Sequence, residues 1–396
     1  MGGEPPDVML INYRRFGTFA DQGGLEPLSN YLLSSKVVSD KEFFPLALDS
    51  FRWQGELWCI PQNISSLVVF YNRDLFDEAG ISYPENEWGW SEFLDTAREL
   101  TKDVDGDGRP DIYGVGVTPN AFRLAPFIWQ NGGRLVDNRE YPTRLTMDDP
   151  SSLDAFQRFV DLQEKEKVAP DDVAELAENS QSRFLNGTLG MILHSRRGVP
   201  TFRTIESFQW DVAPLPRGRR PAGILHSDGY CMAAAAEIKD FAWTFIEFAN
   251  STTGQKIVAS SGRTVPSLVA VAESEVFLDP ILPTENSRVF IDTIPLSETV
   301  PIMSTWIAIE ETLSREIERA YYGDVSVYEA ALTAIDRTRA YFKSDSLSRQ
   351  PRLFVARSKS RFMKNWTCFP QRQYLFVCFL LDILFRLSRV SKGQTQ

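Results

Sequence analysis

Short continuous apolar runs alternate along the chain with segments whose apolar residues recur every three or four positions. The runs PDVMLIN (6–12), LWCIP (57–61), SLVVFYN (66–72), IYGVGV (112–117) and TLGMILH (188–194) predict strands, the first of them buried. Helical spacing predicts a short helix in RDLFDEAG (73–80), opened by an Asn72 cap and stopped by Gly80. In WSEFLDTARELT (90–101), Ser91 is the expected cap, and Phe93, Ala97 and Leu100 form one stripe. Further helices are predicted over 151–165, 182–187, 239–251, 252–262, about 301–322 and 327–342. Strands interleaved with helices indicate an α/β architecture.

Length divides this picture. A chain of 396 residues exceeds the roughly 100–200 residues of a usual domain, so two lobes are expected. The net charge of −11 conceals an asymmetry, because residues 345–396 carry +8 and residues 1–344 carry −19. A body that acidic does not neutralise phosphates, which argues against nucleic acid as its partner. Cys59, Cys231, Cys368 and Cys378 show no C-x-x-C spacing and read as structural thiols. Two histidines, His194 and His226, are too few for an imidazole-rich metal centre. The opening MGGEPPDVMLINY shows neither a basic region followed by an apolar run nor the hydroxyl residue that a myristoylation pattern requires. YLFVCFLLDILF (374–385) contains Asp382 and is shorter than the roughly 20 apolar residues of a membrane span.

In DVDGDGRPD (103–111), Asp103, Asp105, Asp107, Gly108 and Asp111 fall at positions 1, 3, 5, 6 and 9 of a calcium-binding loop. Position 12, where such a loop carries a bidentate Glu, is Gly114, and a strand rather than a second helix follows. The expectation is a helix-to-strand turn whose aspartates accept from nearby backbone N–H groups. Calcium on Asp103, Asp105, Asp107 and Asp111 is the alternative, in which the ion braces the turn and activates no water. No other cofactor is expected.

LWCIPQNISSLVVFYNRDLFDEAG, followed by W-x-W-S-E-F and by D-x-D-G-D-G-x-P-D-x-Y-G, resembles the extracellular solute-binding proteins of carbohydrate importers, the family that includes maltose-binding protein. FLNGTLGMIL, WDVAPLPRG, HSDGYCMAAAAEIKDFAWTFIEFANSTTGQ and SSGRTVPS match further family segments in the family's order, so the resemblance covers about residues 5–344. It implies an α/β, two-lobed, periplasmic-binding-protein-like (type II) fold with a hinge, in which the family's first strand and helix have no counterpart. The implied lobes are 1–64 with 226–290, and 65–225 with the closing helices 291–344, leaving 345–396 as a basic, apolar tail. The chain is expected to cross between lobes near Asn63–Val69 and near Leu225–Tyr230. It also implies a substrate-binding component of an ABC-type importer, monomeric and extracytoplasmic, with a carbohydrate ligand and membrane permeases as partners.

A pyranose offers apolar faces and a belt of hydroxyls, so its site needs aromatic platforms and planar polar groups. Tyr13 and Arg14 follow the PDVMLIN strand at a family ligand position; the rival reading is a solvated loop. Asn63 and Ser65 lie at the first crossing, Phe122 and Trp129 follow the YGVGV strand, and His194, Ser195 and Arg196 end the TLGMILH strand. In Asp228, Gly229 and Tyr230, an acid can accept two hydroxyls, a glycine admits the ligand close to the backbone, and a ring can stack. Trp306 matches a family aromatic that stacks on sugar, with a core anchor as the rival, and Arg263 lies in the SSGRTVPS turn. An enzyme acting on polysaccharide would need two acids facing each other across the bond, and no such pair stands out. A non-functional or interaction-only fragment of the same fold is the other alternative.

Overall fold

The computed structural model describes residues 5–279 and 281–348, with side chains described as far as residue 344. The rest of the 345–396 tail, including Cys368, Cys378 and the 374–385 run, lies outside the described residues.

Two four-stranded sheets form the centres of two lobes. In the first, Asp228–Ala233 pairs antiparallel with Val8–Asn12 on one side and with Leu25–Glu26 and Cys59–Pro61 on the other. In the second, the order is Tyr113–Gly116, Leu189–Ser195, Leu67–Asn72 and Trp210–Ala213. Only the Tyr113–Gly116 and Leu189–Ser195 pair is parallel there. Leu67–Asn72 is buried along its whole length, as expected for a central strand of uninterrupted apolar residues. The Val8–Asn12 strand is not. It lies at a sheet edge with Leu10 44% exposed, so the reading of PDVMLIN as buried is corrected.

Helix ends follow local chemistry. Asn72 Oδ1 accepts from Leu75 N at 3.2 Å, and Gly80 closes the helix Arg73–Ala79 in the left-handed conformation that a Cβ disfavours. Trp90–Leu100 begins where expected, but with Gly89 rather than Ser91 at its cap. The long closing helix starts at Trp306, after Pro301, and packs against Val327–Ser348.

The sheets are joined by chain segments that lie side by side. Between Pro61 and Leu67, and again between Ala213 and Asp228, the chain passes from one sheet to the other. There Ser65 and His226 exchange backbone hydrogen bonds of 2.8 and 2.7 Å. Ser297–Glu298 pairs in parallel with Gly223–Ile224 beside them. Few and adjacent connections of this kind let two rigid halves rotate about a common line. Among the described residues no helix is long and apolar enough to cross a membrane.

Cys59 and Cys231 are joined by a disulfide, which corrects their reading as thiols. They face each other across the antiparallel pair of Cys59–Pro61 with Asp228–Ala233, 4.2 Å apart at Cα, the close spacing of a non-hydrogen-bonded antiparallel pair.

Candidate functional site

Three strand ends of the first lobe converge on one carboxylate. Asn12 is the register partner of Asp228, and Gln62 N donates to the Asp228 carbonyl at 2.8 Å. The side chains continue what the backbone begins. Asn12 Nδ2 donates to Asp228 Oδ1 at 3.0 Å and Asn63 Nδ2 to Asp228 Oδ2 at 3.2 Å. Asp228 is 6% exposed, so this carboxylate exchanges solvent for fixed donors.

The second lobe supplies cations and a ring. After Leu189–Ser195 the chain turns through Arg196–Gly198, and Arg197 pairs with Asp228 across the lobes. The helix Ala121–Gln130, capped by Asn120, carries Phe122 and Arg123 in its first turn. The Arg14 guanidinium lies 4.2 Å from the Phe122 ring centre, donates from Nε to Asn12 Oδ1 at 3.1 Å and pairs with Glu310 of the long closing helix. Trp306 Nε1 donates to the other oxygen of Glu310 at 3.1 Å. His226 lies 4.2 Å, ring centre to ring centre, from Phe122.

Positive charge governs the electrostatics. Burial, with the charges of Arg123, Arg14 and Arg197 added, holds His226 neutral. Burial likewise pushes His194 down to about 4, partly opposed by its 3.0 Å contact with the Ser195 carbonyl. Arg263 is lowered by burial first, then by Arg197, while Asp228 pulls it the other way.

Of the residues expected from sequence, Arg14, Asn63, Phe122 and Asp228 are brought into one group, with His194 and Arg263 within reach of its charges. The others stand elsewhere. Tyr13 is fully buried, and its hydroxyl accepts from Val300 N at 3.4 Å. Ser65 is held in the crossing by its backbone bonds to His226. Trp129 lines a different cavity, of about 590 Å3, with Gly133, Arg139, Arg220, Glu298 and Pro301.

Arg196 is 1% exposed. It donates to Gly262 O at 2.9 Å and packs over Phe277 and Phe290, so it anchors the turn and leaves the cleft to Arg197. Gly229 is required by packing rather than by a ligand, because a Cβ there would lie 2.9 Å from Phe51 Cζ and 3.0 Å from Cys59 Cβ. Tyr230 packs edge-on against Phe245 at 5.7 Å, two residues deeper in the lobe than Asp228. Trp306 is 1% exposed, and it orients Glu310 rather than offering a free stacking face.

Asn12, Arg123, Arg197, His226 and Glu310 were not singled out by the sequence reading. Arg197 and His226 were each next to or within quoted motifs. Arg123 and Glu310 sit on helices whose facing only the packing fixes.

The acidic loop is a self-satisfied turn. Asp103 accepts from Gly106 N at 2.7 Å and Gly108 N at 2.9 Å, and Asp111 accepts from Val104 N at 2.7 Å. Asp103, Asp105 and Asp111 place oxygens within 4.8 Å of one another, a donor set of the hard-cation type, whereas Asp107 stands outside that group and accepts from Arg109 N.

Comparison with known proteins agrees with this architecture. A binding protein of Brucella abortus is 23% identical over 332 residues, 81% of this chain and 76% of that protein. A maltooligosaccharide ABC transporter solute-binding lipoprotein of Streptococcus pneumoniae is 21% identical, over 77% of this chain and 70% of its own. The structure of an ABC substrate-binding protein of Listeria monocytogenes in complex with cycloalternan superposes with a TM-score of 0.79 at 23% identity, covering 86% of each chain. Residues 1–256 match the profile of the bacterial extracellular solute-binding proteins, and the chain belongs to that family.

Proposed function

We propose that the protein is the carbohydrate-binding component of an ABC importer, capturing its ligand between the lobes and delivering it to membrane permeases. The observation that carries this reading is the facing of Asp228, Asn12 and Asn63 in one lobe by Phe122 and Arg197 in the other. A carboxylate held by amides accepts hydroxyls, a guanidinium donates to them, and both elements come within bonding distance of one small molecule only when the lobes are together. The saccharide named for the Streptococcus pneumoniae relative supports the ligand class.

The protein acts as a monomer without catalysis of its own. Asp228 and Glu310, the two acids of the cleft, are each engaged by an arginine, an arrangement that grips a ligand rather than protonating a glycosidic oxygen. The Cys59–Cys231 disulfide suits an extracytoplasmic, oxidising compartment.

A thermal-unfolding screen of mono- and oligosaccharides tests the reading. A ligand present at about 100 times its Kd adds about 2.7 kcal/mol and raises Tm by several degrees. No shift with any saccharide would overturn the proposal.

A further inference from the structure

The cleft holds more positive charge than its acids balance. Arg14 is paired with Glu310 and Arg197 with Asp228. Arg123 shares the Phe122 ring with Arg14 and makes no salt bridge among the described residues. These three arginines against two acids leave a local charge of +1 in a chain whose net charge is −11.

Arg123 carries the surplus. Its guanidinium lies 5.9 Å from the Phe122 ring centre, and its buried Nε has no hydrogen-bond partner. His226, beside the same ring, has a buried Nε2 that is likewise without a partner. Folded proteins pair the charges they bury, because an isolated one forfeits several kcal/mol of hydration. Burial, with Arg14 nearby, lowers Arg123 to about 10, which leaves it charged at neutral pH. An aromatic face offsets only part of that loss.

A neutral sugar would supply hydroxyls to Asn12, Asn63 and Asp228 and leave the surplus cation, Arg123, uncompensated. An oxyanion on the same ligand would supply what is lacking, since guanidinium forks bind carboxylate and phosphate oxygens through paired N–H donors. We propose that the ligand is an anionic carbohydrate whose carboxylate or phosphate group binds Arg123 between the lobes, an assignment that rests on the sugar-receptor reading above.

Matched sugars differing in one group provide the test on the full chain. Glucose, glucuronate and glucose 6-phosphate share a ring and differ at C6, and galactobiose against digalacturonate extends the comparison to a disaccharide. Calorimetric titration is expected to give at least one acidic member about ten-fold or more tighter binding than its neutral counterpart, a difference of about 1.4 kcal/mol. Preference for glucuronate and digalacturonate assigns a carboxylate, and preference for glucose 6-phosphate a phosphate. The preference should weaken as ionic strength rises and be lost in Arg123→Gln. Arg123→Lys, which keeps the charge but loses the planar fork, serves if the first variant does not fold and should weaken the preference. Neutral sugars binding as tightly as their acidic counterparts would overturn the anionic assignment and leave the sugar receptor standing. Absence of binding by every member of both sets would overturn the anionic assignment, while the wider saccharide screen above decides the receptor reading.

Discussion

At the scale of single residues, Asp228 gathers the polar contacts of the cleft into one carboxylate. Asn12, Asn63 and Arg197 all donate to it. Asp228→Ala strands donors at a buried position and is expected to lower stability by about 1–3 kcal/mol, read from urea unfolding. Arg197→Ala should lower it by less than about 1 kcal/mol, because the Arg197 side chain is 45% exposed and can rehydrate. Equal losses in the two variants would show that Asp228 is not the hub. His194 gives a pH signature of definite sign. Burial holds it at about 4 against an ordinary 6.5, so the unfolded chain takes up the proton first. The resulting stability is fully present above pH 6.5, declines as pH falls from 6.5 to about 4, and is constant below. Its full size is about 3 kcal/mol. In His194→Gln the stability profile across that window should flatten, leaving the slope due to His226, which is also held neutral, and the opposite slope due to Asp211, whose carboxyl burial raises. An unchanged slope would contradict the burial argument.

At the scale of elements, the first lobe depends on strands brought together from distant sequence. The Cys59–Cys231 bond closes a separation of 172 residues, for which loop entropy sets a contribution of about 5 kcal/mol, and native-state effects usually reduce it. Reduction, or the pair Cys59→Ala with Cys231→Ala, is therefore expected to lower Tm by several degrees. An unaltered Tm would mean that the paired strands hold without it. Gly229→Ala tests the same sheet from its packed face, where a new Cβ would press on Phe51, with an expected loss of about 1–3 kcal/mol. These long-range pairings also mark the limit of what sequence reveals. The Arg73–Ala79 helix was legible to the residue because Asn72 and Gly80 act locally. So was the central strand Leu67–Asn72, whose apolar run matches burial on both faces. The edge position of Val8–Asn12 was not legible, since an apolar run does not state how many neighbours it has. The disulfide was hidden for the same reason, as opposition of Cys59 and Cys231 exists only in the register of their strands. In the site, Asp228 follows from residue chemistry at a strand end, and Phe122 from its place in the first turn of the helix after the Tyr113–Gly116 strand. Arg196 was expected at the cleft and is buried instead, because alternation along a strand does not continue through the turn that ends it. Tyr230 was misplaced because two residues along a strand carry a side chain several ångströms deeper into the lobe.

At the scale of the whole molecule, direct contacts between the lobes are what a ligand must work with. Arg14 belongs to the first lobe by the helix Tyr13–Asp21 that follows the Val8–Asn12 strand, and is held in the second by Glu310 and the Phe122 ring. Arg197 and Asp228 form a second tie across the same gap. Charged ties of this kind bias closure without locking it, because each is partly exposed and contributes on the order of 1 kcal/mol. Glu310→Gln removes the charge from one tie yet keeps an amide oxygen for Trp306 Nε1, so the closing helix should remain anchored. About 1 kcal/mol corresponds to roughly a five-fold shift of the closed-to-open ratio. Small-angle scattering of the ligand-free variant should therefore show a larger radius of gyration than the wild type. Saturating sugar should bring both to one value, because a ligand that binds only the closed form supplies the differential affinity that the lost ion pair no longer provides. Phe122→Ala, added to Glu310→Gln, removes the remaining hold on Arg14 and should widen the ligand-free difference. If the radius is the same in wild type and both variants, closure is set by the backbone crossings at Ser65 and His226 rather than by the side chains that meet across the cleft.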